Sequence, residues 1–315
     1  MTRKAKVHLL PRFVLACILG VSLGEVLRAR PGMAGDGALQ VIVSVLPQQT
    51  FVERVGGRHV EVHSMVQPGY DPHTYEPTPR QIAALSDADL YVRIGVPFEH
   101  VWMGRIRSAN WEMRILDAHS GLNPHNLSGH DYDEGHGEPI AEQGHPDEHR
   151  QVGEHDPHVW TDPLLVKQMA GRIRDQLIEL DPENAEDFRR NYQAFAAELE
   201  ALDREIQSLL APVSNRKFMV FHPAWGYFAA AYGLTQIPIE KAGKEPAPRA
   251  LTALIEQARR ERIKVIFIRP RFSERSARQV ARAIGGQVSA IDPLAADYVA
   301  NLRRVARQIA GAARK

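Results

Sequence analysis

The chain has 315 residues, 44% hydrophobic and 24% charged, which is an ordinary globular composition and enough length for two core-forming domains. Its formal charge is +1, but residues 1–34 hold six basic side chains and one acid, so the rest carries 33 basic against 37 acidic residues, a net of −4. That balance argues against a nucleic-acid binder and leaves no basic patch for a membrane surface.

The N-terminus reads as an export signal over residues 1–34. Arg3, Lys4, Lys6 and Arg12 precede the apolar run Phe13–Leu23, which is too short to span a bilayer. Small residues follow at Gly32-Met33-Ala34-Gly35, so a soluble, periplasmic mature chain is expected. Cys17, the only cysteine, is the alternative lipid-attachment residue; this reading ranks second, because only four uncharged residues separate it from Arg12. Cleavage beyond Cys17 removes both disulfides and thiolate ligands from consideration.

Beyond the signal, short β-branched runs alternate with helical spacing. Strands are expected at Leu39–Leu46, Val60–Val66, Leu90–Ile94 and Met113–Leu116, with helices at Gln48–Val55, stopped by Gly56-Gly57, and at Arg80–Ser86. Residues 119–156 break the rhythm. They hold seven of the fourteen histidines among acids and glycines, with no apolar period, and predict a solvated loop suited to weak binding of several ions. A helix follows at Pro163–Leu180. A longer one covers residues 183–210, where Phe188, Tyr192, Phe195, Leu199, Leu202, Ile206 and Leu209 recur at steps of three and four. About 28 residues of helix would span roughly 42 Å, longer than one lobe needs.

The α/β rhythm then resumes. Strands are predicted at Lys217–Phe221, Leu234–Ile239, Ile263–Ile268 and Gln287–Ile291, and helices at Gly226–Tyr232, Ala250–Glu261, Ser273–Ile284 and Asp297–Ile309. The fold class is therefore α/β: two (β/α) lobes with mainly parallel sheets. The expected boundaries are 38–162 for the first lobe, 163–211 for a helical connection and 212–315 for the second lobe.

Four segments sit where strands end: Asp71-Pro72-His73, Asp156-Pro157-His158, Phe221-His222-Pro223 and Asp292-Pro293-Leu294. In open parallel sheets, such loops converge on the ligand crevice. His73, His158, His222 and Asp292 are thus candidate ligands for one ion, two from each half. Imidazole and carboxylate together suit zinc, and four such donors fill a tetrahedral shell. The separations do not resemble the His-Glu-x-x-His helix of a metalloprotease. Taken singly, a proline-flanked histidine is an ordinary turn residue and Asp292 an ordinary turn initiator. Two copies of Asp-Pro-His shift the balance toward metal. Trp160, Trp225 and Tyr75 read as core or wall residues, and His59, His63 and His100 as structural or exposed. Because the ligands must be neutral imidazoles, affinity is expected to fall as pH drops through about 6.5.

At these segments the chain resembles the zinc/manganese-binding proteins of ABC importers, the ZnuA-like or TroA-like family. The resemblance rests on Asp71-Pro72-His73-Thr74-Tyr75-Glu76-Pro77-Thr78-Pro79, Asp156-Pro157-His158-Val159-Trp160, Phe221–Phe228, Gly243–Pro248 and Asp292-Pro293-Leu294. It implies two lobes joined by one rigid spine helix, metal between the lobes on the same four residues, a membrane permease as partner and a protein that is no enzyme. Histidine at 222 places zinc ahead of manganese. The chain departs from the family pattern at Arg269-Pro270-Arg271-Phe272, where a more neutral run is usual. Two other readings are a zinc hydrolase, with Glu76, Glu240 or Glu245 as base, and a surface adhesin. A monomer is expected.

Overall fold

Leu39–Val43 (β1) has Val41 and Val43 wholly buried, as a strand covered on both faces requires. Its neighbours are Val60–Ser64 (β2) and Leu90–Arg93 (β3), and Arg114–Asp117 (β4) completes a parallel sheet in the order β2-β1-β3-β4. The structure, a computed structural model, describes residues 37–122, 156–240, 243–270 and 275–313. The expected export segment 1–34, Cys17 and all of the histidine-rich stretch except 119–122 and Asp156 lie outside the described residues.

Helices Leu46–Gly56 (α1), Pro79–Ala84 (α2) and Pro97–Ala109 (α3) connect these strands. The stop expected after α1 is sterically enforced. Gly57 adopts φ of 58°, and a Cβ on Gly56 would lie 2.3 Å from a methyl of Val60. Helix α3 is absent from the sequence reading. Its buried face carries Glu99, fully enclosed, beside Phe98 and Ile106, while Val101 is exposed, so no apolar stripe marks it. Glu99 accepts the backbone N–H groups of Ile94 at 2.8 Å and Gly95 at 2.9 Å, closing the turn from β3.

Asp162 caps Pro163–Leu180 (α4), accepting the Leu164 N–H at 2.7 Å, and proline at the first helical position suits that start. A 3₁₀ turn at Pro182–Asn184 then feeds the 26-residue helix Ala185–Leu210 (α5), which spans about 39 Å. The second sheet repeats the first: Lys217–Val220 (β5), Thr235–Pro238 (β6), Val265–Ile268 (β7) and Gln287–Ala290 (β8) are parallel in the order β6-β5-β7-β8. Gly226–Ala231 (α6), Pro248–Arg260 (α7), Arg275–Ala283 (α8) and Tyr298–Ala312 (α9) cover it.

Helix α5 lies against α1 and α4 on the first lobe and α9 on the second. Its stripe Phe188, Phe195, Leu199, Leu202, Ile206 and Leu210 is buried in a core containing residues of both sheets. Phe51 meets Tyr298 edge-on at 4.9 Å, joining α1 to α9. The Trp160 Nε1–H donates to the Pro293 carbonyl at 2.7 Å, and the Tyr298 hydroxyl donates to the Trp160 carbonyl at 2.8 Å. A smaller core of Met219, Ile266, Ile268, Ala277 and Val280 lies under α8. Among the described residues, no helix is long and apolar enough to cross a membrane.

In each sheet the chain steps from the first strand to one side and returns past it to the other. The reversal falls between β1 and β3 and between β5 and β7, the places where loops at carboxyl ends open a crevice.

Candidate metal centre

Four Asp-Pro-X segments fold the same way. The aspartate Oδ1 accepts the backbone N–H two residues on, from His73 at 3.0 Å, His158 at 2.9 Å, Leu164 at 2.7 Å and Leu294 at 2.9 Å. Proline has no N–H and fixes φ near −65°, so the next amide is the first donor the carboxylate meets. Sequence alone therefore makes a pre-shaped tip at each segment, and two of the tips carry a histidine.

His73 lies on the loop between β2 and α2. Gln81 braces that loop, accepting the Tyr75 hydroxyl at 2.7 Å and the Thr78 N–H at 3.0 Å, and donating to the Met65 carbonyl at 2.7 Å. His158 immediately precedes the 3₁₀ turn Val159–Thr161, and His222 stands two residues beyond β5. Their rings converge, with centroids 5.9 Å apart for His73–His158, 5.1 Å for His73–His222 and 5.3 Å for His158–His222. One nitrogen from each lies within 4.8 Å of the others. Tetrahedral zinc with bonds of about 2.0–2.1 Å would set ligand nitrogens roughly 3.4 Å apart, so small side-chain shifts close the set.

Two rings are held from behind. His158 Nδ1 meets Asp156 Oδ1 at 2.6 Å, and His222 Nδ1 meets Glu240 Oε1. A carboxylate on Nδ1 favours the Nδ1–H tautomer and turns Nε2, with its lone pair, into the site. His222 Nε2 is buried with no hydrogen-bond partner. Leaving a polar atom so enclosed is costly unless a ligand takes it, and three imidazoles form a donor set that fits zinc. Asp156 reaches its place because Gly226 has no side chain; a Cβ there would stand 2.7 Å from Asp156 Oδ2.

Burial lowers the pKa of His222 well below the ordinary histidine value, and the neighbouring His158 lowers it further. His73 is exposed, yet desolvation by the protein packed around its ring, together with His158, also lowers its value. Burial raises Glu240. Asp71 sits below its usual value: burial pushes it up, but the hydrogen bond and charge of Arg269 outweigh that. The lowered values of His73 and His222 favour the neutral, donating form of those two rings.

Asp292 stands apart from the three histidines. It is half-buried, its Oδ1 accepts the Leu294 N–H, and its carbonyl accepts Asn301 Nδ2 at 2.6 Å, so its turn is held by its own lobe. In sequence Asp156 reads only as part of its motif and Glu240 only as a candidate base, so neither is legible there as a clamp. Their signal is an acid two residues before a candidate ligand, and one just past β6, the strand beside β5. Glu76 is exposed, and Glu245 accepts the Ser276 hydroxyl at 2.6 Å. Trp160, Trp225 and Tyr75 are buried, Trp160 lying 5.1 Å from the His158 ring. His59 meets Asp187 at 2.8 Å, and His63 and His100 are exposed; none joins the cluster.

Known proteins are similar to this chain in sequence and fold. Residues 41–312 match the family described as periplasmic zinc-uptake complex component A. The zinc-binding protein AdcA of Streptococcus pyogenes is 26% identical over 264 residues, covering 82% of this chain and 51% of that protein. The high-affinity zinc uptake system protein ZnuA of Bacillus subtilis is 28% identical over 272 residues, covering 81% and 78%. The chain therefore spans about half the length of the AdcA relatives it matches. A crystal structure of ZnuA superposes with a TM-score of 0.77 at 41% identity, over 88% of this chain and 99% of that one.

Proposed function

The chain belongs to the family of periplasmic zinc-uptake complex component A proteins, and from that premise we propose that it captures one zinc ion between its lobes and delivers it to an ABC importer. The convergence of His73, His158 and His222, with a buried, unpartnered Nε2 on His222, carries the reading. The three imidazoles would bind the cargo ion through the nitrogens facing the cleft. Asp156 and Glu240 would hold two of the rings and offset the charge of a dication. Asp292, on the facing loop, is the further donor in this proposal, reaching the ion when its loop shifts.

A donor set of three imidazoles with no more than one carboxylate favours zinc over manganese. In this proposal the protein is exported and acts as a carrier rather than an enzyme; the engagement of Glu240 with Nδ1 of His222 and of Glu245 with Ser276 supports that reading over a hydrolase with either as its base. The lobes 38–162 and 212–315 act as two halves on the connection 163–211, with α5 limiting their hinge motion.

Equilibrium zinc titration beside an ester and peptide hydrolysis assay tests the proposal. One tight site without turnover supports capture; steady hydrolysis overturns it.

A further inference from the structure

Arg269 has no part in capture as described so far. It follows β7, whose neighbour β5 leads to His222, and it is only 8% exposed. Its Nη2 donates to Asp71 Oδ2 at 2.8 Å. Asp71 belongs to the first lobe, and its other oxygen accepts the His73 backbone N–H at 3.0 Å. One carboxylate thus joins a cation of the second lobe to a candidate ligand of the first.

The three histidines differ in how they are held. His158 and His222 are buried, and a carboxylate orients each ring through Nδ1. His73 is exposed, and among the described residues its ring has no such carboxylate hydrogen bond. Its place depends on its backbone turn, which Asp71 shapes and Arg269 grips.

We propose that Arg269 is a positioning residue that latches the His73 loop across the cleft through Asp71 and so sets how long a captured ion stays. The inference rests on the zinc-capture reading. A pair this enclosed is little screened by salt. Being neutral as a pair, it adds no net charge beside a dication. Withdrawing His73 with its loop requires the Asp71–Arg269 contact to part.

The test measures zinc dissociation from the full-length chain by stopped flow into excess chelator, together with the visible spectrum of the cobalt-loaded protein. Arg269→Gln and Asp71→Asn are each expected to speed zinc loss by about tenfold, and the double variant no more than either alone, because one interaction is removed. Arg269→Lys should restore slow release in part, and the cobalt bands should shift in Arg269→Gln alone of those two. Rates in both single variants within about twofold of the parent, or effects that multiply in the double variant, overturn the latch. If Arg269→Gln does not fold, Asp71→Asn decides by itself, since asparagine keeps the oxygen that accepts the His73 amide. A parent chain that binds no zinc sinks the capture reading; a zinc-binding parent with unchanged variants sinks only the latch.

Discussion

His222 and Glu240 are joined through Nδ1 and Oε1 at the ends of adjacent strands, so the opposite nitrogen of the imidazole points into the cleft as a buried lone pair. The protein interior has already removed that nitrogen from water. An incoming cation therefore meets a donor that has lost its hydration, which favours binding over a flexible surface histidine.

His222→Ala removes this donor and leaves two imidazoles. Elemental analysis after dialysis should find zinc in the parent and none retained in the variant. Equal metal content in both would remove His222 from the site.

Glu240→Ala and Asp156→Ala leave all three ligands in place but free a ring. Each should weaken zinc by about 10–100-fold, the usual loss on removing a carboxylate behind a ligating histidine. Chelator competition at neutral pH measures it. An affinity equal to the parent's in both variants would mean that the carboxylates do not orient the rings.

The pH dependence departs from the expectation drawn from free histidine. His73 and His222 have folded-state values below the ordinary 6.5. At these two rings protons therefore compete with zinc only below that point, and the loss of zinc should be centred below pH 6.5. For the metal-free chain the sign is the same: below about 6.5 the unfolded state binds protons that the fold refuses, so stability rises with pH through that window and is lost as pH falls. Zinc titrations and urea melts between pH 5 and 8 check both. Loss of zinc centred at 6.5 or above would contradict the burial of the site.

Phe195 lies 6.3 Å from Phe51, ring to ring, and is 1% exposed within the core that joins the lobes. Phe195→Ala should cost about 3–5 kcal/mol in urea unfolding. Zinc stoichiometry of the folded fraction should not change, because the residue touches no ligand loop. A cost below about 1 kcal/mol would show that the α1–α5 contact is not structural.

Much of this molecule was legible in its residues because the signals were local. Short apolar and β-branched runs mark all eight strands of the described residues, and the apolar steps of α5 mark the spine to within two residues at its start. Asp-Pro-His shapes its own turn, so two of the three converging histidine tips are legible without a fold. Tertiary structure decided what local pattern cannot carry. Helix α3 carries no legible stripe because its inner face holds Glu99, a charge made tolerable by the β3 turn amides and by Arg93, whose Nε–H donates to it at 3.2 Å. Glu240 and Asp156 became clamps because β6 runs beside β5 and because Gly226 leaves space for a carboxylate. Asp292, equal to the histidines on paper, is not part of the 4.8 Å group that they form. Which side chains share a few ångströms depends on how strands far apart in sequence are ordered in a sheet and how two sheets face each other, and no spacing along the chain contains that distance.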